Sequence, residues 1–116
     1  PLQKIAADKA YDDGAAYLRL DALDKALDSF NRSLELDPGN ADAYNGIGVI
    51  LTHQRKYDEA IQSFDKATQQ DPSVAGFHIN IAISYHLLGR KEEAKAAYLR
   101  AVELDSEYEG QFDVFE

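Results

Sequence analysis

Apolar residues recur along the chain at helical spacing, interrupted at regular intervals by polar turns. Tyr44, Ile47, Gly48 and Leu51 fall at i, i+3, i+4 and i+7, the stripe of one amphipathic helix. After a polar break near Arg55, Ala60, Ile61, Phe64 and Ala67 form a second stripe. Asp71-Pro72 predicts the end of that helix, because a proline disfavours helical geometry in the residue before it. Asn40 stands where its side-chain oxygen can cap the helix that follows. The helix–break–helix pattern occurs three times. Phe30, Phe64 and Tyr98 are 34 residues apart, as are Ala26, Ala60 and Ala94, and Ser33, Ala67 and Ala101. Gly14, Gly48 and Ala82 keep the interval, and so do Asp37, Asp71 and Asp105. These gap-free columns define units 7–40, 41–74 and 75–108. Small residues on the apolar faces let paired helices approach closely, with a Phe or Tyr wedged alongside. A single pair cannot bury its apolar face alone, so the units are expected to stack.

The period, Gly48 or Ala82 in the first helix, the Ala60, Phe64, Ala67 series and Pro72 resemble the tetratricopeptide repeat across units 7–108. The resemblance implies an all-α, right-handed α-solenoid of antiparallel helix pairs, with the first helix of each pair lining a concave groove. Four features depart from the pattern. Asp13 replaces an apolar residue, which suggests a frayed first repeat or a face covered by another segment. Ala10 and His78 stand where a large aromatic is common, and Ser106 takes the place of the proline. Asp21 and Arg55 occupy the interhelix turn that Gly89 occupies in the third unit.

Beyond the third unit, Tyr108, Phe112 and Phe115 fall at i, i+4 and i+7, the stripe of one more helix. Phe112 and Phe115 follow His78 and Ile81 by 34 residues, so 109–116 keeps the register of a fourth first-helix. It is expected either to cap the third repeat or, as the favoured reading, to be the cut end of a longer array.

Composition narrows the function. The 116 residues carry 12 Lys and Arg against 21 Asp and Glu, a net charge of −9. That excess argues against binding nucleic acid or anionic lipid, since phosphates attract positive surfaces. There is no cysteine, hence no disulfide framework, thiolate nucleophile or Cys-rich zinc site. No apolar run approaches the roughly 20 residues needed to span a bilayer. No phosphate-cradling Gly-rich loop or nucleophile elbow occurs. The carboxylate pairs Asp12-Asp13, Asp58-Glu59 and Glu92-Glu93 read as solvated helix surface rather than as acid and base. His53, His78 and His86 lack the neighbouring ligands a metal needs, so neither metal nor cofactor is expected. By unit the charge divides as −4, −2 and −1, with +1 from residues 1–6 and −3 from 109–116.

The resemblance implies a groove formed by Asp8, Tyr11, Asp12, Ala15, Leu18 and Arg19 in the first unit. It adds Asp42, Asn45, Gly46, Val49, Thr52 and His53 in the second, and Gly76, Ile79, Asn80, Ile83, His86 and Leu87 in the third. Val49, Ile79, Ile83 and Leu87 are aliphatic at places that helix pairing does not require, the mark of an interaction surface. The candidate peptide-binding residues are therefore Tyr11, Leu18, Asn45, Val49, His53, Ile79, Asn80, Ile83, His86 and Leu87. One branch of the family clamps carboxylate-terminated peptides with Lys, Arg and Asn. The matching positions here hold Tyr11, Ala15, Gly46, Gly76 and Asn80, with no base among them. The expected function is a non-catalytic scaffold for a partner peptide or helix with apolar anchors and, facing Asp8, Asp12 and Asp42, basic residues. The alternatives are a head-to-tail homo-oligomer through Phe112 and Phe115, or a regulatory or targeting segment of a larger protein.

Overall fold

The computed structural model describes residues 1–115. Six α-helices follow one another as three pairs: α1 (Leu2–Arg19) with α2 (Leu23–Leu36), α3 (Ala41–His53) with α4 (Tyr57–Gln70), and α5 (Ala75–Leu87) with α6 (Lys91–Leu104). Two single turns of 3-10 helix, Ser106–Tyr108 and Asp113–Phe115, complete the described chain, which contains no strand. Each pair stacks on the next, α2 against α3 and α4 against α5.

The two kinds of link are built alike in every unit. Between paired helices, Asp21, Arg55 and Gly89 take left-handed backbone, with φ of 58°, 62° and 76°. The residue after each returns its N–H to the carbonyl five back: Ala22 to Tyr17, Lys56 to Leu51 and Arg90 to Tyr85, all at 2.9 Å. These bonds satisfy carbonyls that the ending helix leaves free. An L side chain in this conformation costs on the order of 1 kcal/mol, which Gly89 avoids and Asp21 and Arg55 do not. Between pairs, Asp37, Asp71 and Asp105 leave the helix in extended geometry. Each carboxylate accepts the N–H two residues on, from Gly39, Ser73 and Glu107. The aspartate therefore makes the turn, which is why Ser106 can replace proline.

Small residues decide how closely the helices pack. A Cβ on Gly14 would lie 2.7 Å from the Phe30 ring, and one on Gly46 would lie 2.5 Å from its far edge. A Cβ on Gly48 would lie 2.4 Å from the Phe64 ring. Phe30 thus fills the space between a first helix of its own pair and the first helix of the next. Phe64 does so with Gly48 and, across the junction, Ile81. Both rings are about 1% exposed. At the first junction a polar chain adds to this: Ser33 Oγ donates to the Ala7 carbonyl at 2.8 Å, and Asn40 Nδ2 donates to Ser33 Oγ at 3.0 Å. Asn40 Oδ1 also caps α3 by accepting from Ala43 N at 3.2 Å. Ala67 and Val74 stand at the matching places of the second junction, where the same polar chain cannot form.

One expectation needs correcting. Asp13 neither frays its repeat nor lies in a core: α1 runs unbroken, and Asp13 pairs with Lys9 at 2.8 Å on a half-exposed face. It occupies the column of Ile47 and Ile81, which pack on the preceding pair. The helix also starts five residues before the first unit, tied to the end of α2 by Gln3 Nε2 to the Leu36 carbonyl and by Lys4 to Asp37.

If the ring–glycine seat sets the helix spacing, Gly48→Ala should destabilise the chain by about 1–3 kcal/mol despite alanine's better helix propensity. Gly76→Ala should be neutral or stabilising by up to about 1 kcal/mol, because its added carbon would come no nearer than 3.8 Å to the Tyr108 hydroxyl. The urea midpoint should fall for Gly48→Ala and hold or rise for Gly76→Ala; equal shifts would contradict the seat.

Candidate functional site

The first helices α1, α3 and α5 lie side by side, α1 touching α3 and α3 touching α5. Across the second contact, Asn80 Nδ2 donates to Asn45 Oδ1 at 2.9 Å. This leaves Asn45 Nδ2 and Asn80 Oδ1 without a hydrogen bond among the described residues. Beside the pair lies a cavity of about 140 Å3 lined by Val49, Thr52, His53, Phe64, Asn80 and Ile83. Its floor is Phe64, the ring that also fills the helix junction. Four of the expected groove residues, Val49, His53, Asn80 and Ile83, thus meet in one hollow, and Asn45 joins them through its hydrogen bond.

The other five lie elsewhere. Tyr11 and Leu18 are half-buried against the first core cluster around Phe30, with the Tyr11 ring 5.6 Å from that of Phe30. Burial, with the Asp42 and Asp12 carboxylates adding to it, pushes the Tyr11 phenol above its usual pKa. Ile79 is not a groove residue: at 6% exposure it packs with Ala75, Ala82, Ala94 and Tyr98 in the core of the third pair. Leu87 is half-exposed at the end of α5, and His86 meets the edge of Phe115 at 5.7 Å. Phe64 and Thr52 belong to the hollow but were not among the ten candidates. The periodicity of Phe64 marks it only as core, and a core ring can also floor a cavity.

Phe112 and Phe115 do not sit on a fourth α-helix. Gly110, at φ 77°, breaks the helical path, and the segment folds back as 3-10 turns onto the third pair. Tyr98, in the column of Phe30 and Phe64, carries a hydroxyl that those rings lack. It donates to the Tyr108 carbonyl at 3.1 Å and accepts from Gly110 N at 3.0 Å. Phe115 packs 5.4 Å from the Tyr98 ring, as Ile81 packs on Phe64 one unit earlier, so the register survives although the helix does not. At 5% exposure Phe115 is covered by its own chain, and Phe112 is half-buried beside it. The side chains that head-to-tail assembly would need exposed are turned inward. The segment's rings meet α5 at His86 and α6 at Tyr98. A separate hollow of about 170 Å3 lies between the segment and Lys95, Tyr98, Leu99 and Val102 of α6.

His78 is the polar outlier. Its Nε2 is buried without a hydrogen-bond partner. Desolvation lowers its pKa, opposed by a hydrogen bond with the Pro72 backbone and by the nearby Asp65 carboxylate, while Arg100 adds to the lowering. Asp65 is itself pushed above its usual range by burial. Among the described residues no three His, Asp or Glu side chains converge as a metal site would require, and no helix is long and apolar enough to cross a membrane.

A stack of helix pairs with one face built from first helices defines a helical-repeat protein. The tetratricopeptide repeat family profile matches residues 11–75 and 54–109, and the chain belongs to that family. No curated protein sequence matches it significantly. Among solved structures, the TPR domain of Arabidopsis OM64 superposes with a TM-score of 0.86 at 19% identity, over 97% of this chain and 90% of that one. The first TPR of Spaghetti (RPAP3), bound to the HSP90 peptide SRMEEVD, gives 0.84 at 21% identity over 89% and 82%. YrrB, described as a TPR protein with an unusual peptide-binding site, gives 0.78 at 26% identity over 86% of this chain and 52% of its own.

Tyr98→Phe removes one donor and one acceptor from the C-terminal turn. Amide exchange at Gly110 should accelerate several-fold while the α3–α4 core keeps its protection, with a stability loss of about 1–2 kcal/mol; unchanged exchange would show that the hydroxyl does not anchor the segment. His78 sets a pH dependence of definite sign. Its folded pKa lies below 6.5, so below that pH the unfolded chain binds more protons and stability falls as pH falls. Between pH 7.5 and 5.5, denaturation midpoints should drop for the wild type and drop less for His78→Phe; parallel curves would exclude this origin.

Proposed function

We propose that the chain is a non-catalytic scaffold that holds a partner peptide on the face of α1, α3 and α5. An apolar side chain of the partner seats between Val49 and Ile83 over Phe64. The observation that carries this reading is the hollow with an aliphatic and aromatic lining beside an amide pair that still has hydrogen-bonding capacity. A space of about 150 Å3 holds a benzene-sized group, so one branched aliphatic side chain is the scale of ligand that fits. Family membership supports a binding role, since peptides occupy related domains such as the one solved with an HSP90 peptide.

The residues at the carboxylate-clamp positions, Tyr11, Ala15, Gly46, Gly76 and Asn80, supply no cation, which speaks against an acidic-tail ligand. One buried aliphatic anchor contributes about 1.5–3 kcal/mol, and two or three such contacts less the entropy of association leave an affinity around micromolar, about −8 kcal/mol.

A partner captured by the wild-type chain from its cell of origin should bind Ile83→Glu at least about tenfold more weakly, because a carboxylate then projects into the apolar hollow. Binding titrations on variants with unchanged helix content read this directly. Unaltered affinity of every captured partner for Ile83→Glu would refute the groove.

A further inference from the structure

The geometry points to a definite class of partner: an extended peptide segment with a Lys or Arg about three residues from the aliphatic side chain that fills the Val49–Ile83 hollow, a conclusion that rests on the groove reading above. Three features converge on it. The first is the amide pair. With Asn80 Nδ2 committed to Asn45 Oδ1, the pair still offers donors on Asn45 and an acceptor on Asn80. These atoms reach solvent, since the buried side-chain polar atom without a partner is His78 Nε2. A donor beside an acceptor matches one peptide unit of an extended chain. The middle of a helical ligand has no such unit to give, because its N–H and C=O groups are already paired with each other.

The second feature is acidic charge without an ion-pair contact. Asp12 on α1 and Asp42 on α3 both bear electrostatically on the Tyr11 phenol, as Arg19 does with the opposite sign. Neither aspartate takes part in an ion pair among the described residues, whereas Asp8 is met by Lys4 and Asp13 by Lys9. Arg19, at the end of α1, supplies the one Lys or Arg of the groove positions. The net charge of −9 extends the same sign over longer range, drawing cationic segments in and holding acidic ones off. The apolar hollow and the acidic end thus ask for different side chains of one ligand.

The third is the distance between them. Asp42 and Val49 are seven residues apart on α3, roughly 10 Å at about 1.5 Å per residue. An extended chain covers that length in about three residues at about 3.3 Å each. The Asn45 amide stands between the two along the same helix, where the intervening backbone would pass.

Panning a displayed library of random dodecapeptides over the intact chain tests the assignment. Enriched sequences should carry Lys or Arg two to four residues from Leu, Ile, Val or Met and be depleted in Asp and Glu. A selected peptide should bind the Asp12→Asn/Asp42→Asn double variant roughly three- to tenfold more weakly, the scale of two exposed ion pairs. That difference should shrink as salt rises from about 0.05 to 0.5 M. Ile83→Glu should abolish binding of the same peptide. Acidic enriched sequences, sequences without the basic–aliphatic spacing, or binding indifferent to the double variant would overturn the partner class while leaving the groove standing. Enrichment that survives Ile83→Glu, or no enrichment at all, would overturn the groove reading itself.

Discussion

The contact on which the rest of this molecule depends is an aromatic ring from a second helix pressed against a glycine of a first helix. Phe30 leaves no room for a side-chain carbon at either Gly14 or Gly46, and Phe64 leaves none at Gly48. One ring therefore fixes the spacing within a pair and, at the first junction, the spacing to the next pair. Large-to-small changes at such sites typically cost 3–5 kcal/mol, far more than any of the exposed ion pairs on the surface contributes. The hollow between α3 and α5 follows from the same spacing. Only when α3 and α5 are held this close can Asn80 reach Asn45, and only then does Phe64 floor a hollow between Val49 and Ile83.

The third pair varies this scheme. Tyr98 replaces phenylalanine, Ala82 replaces glycine, and the ring's outward side is met by the C-terminal segment rather than by another helix pair. The extra hydroxyl binds the backbone on both sides of the turn at Gly110. A single oxygen thus converts a stacking ring into an anchor for the aromatic segment.

Much of the architecture was legible because the same physical role falls on the same column each time. A wedge ring, the small residues it presses on and the turn aspartate recur at one period, and each has a local cause. What escaped the sequence depends on relations between columns. Ile79 has helical spacing compatible with either flank of α5, and only the packed pair shows that it turns into the core. Asn45 and Asn80 are 35 residues apart, one more than the repeat, so a comparison of like columns does not pair them. Asp13 looked misplaced because its column is apolar in the other units, yet that column faces a preceding pair, and in α1 it faces Lys9 instead. The register of Phe115 was readable, while its backbone path was not, because Gly110 takes a left-handed conformation that replaces the helix with turns. The early start of α1 had a signal: Gln3 and Lys4 stand where Asp-Pro stops the helix in the later units.

The central claim is that a partner peptide lies across α3 and α5 with one apolar side chain over Phe64. Nuclear magnetic resonance shift mapping of the isotope-labelled chain, titrated with a peptide selected for binding, tests it most directly. The largest changes should fall on the side-chain amides of Asn45 and Asn80 and on the methyl groups of Val49 and Ile83, with the outward surfaces of α2, α4 and α6 silent. Changes centred on those second helices, or on the hollow behind the C-terminal segment at Leu99 and Val102, would contradict it.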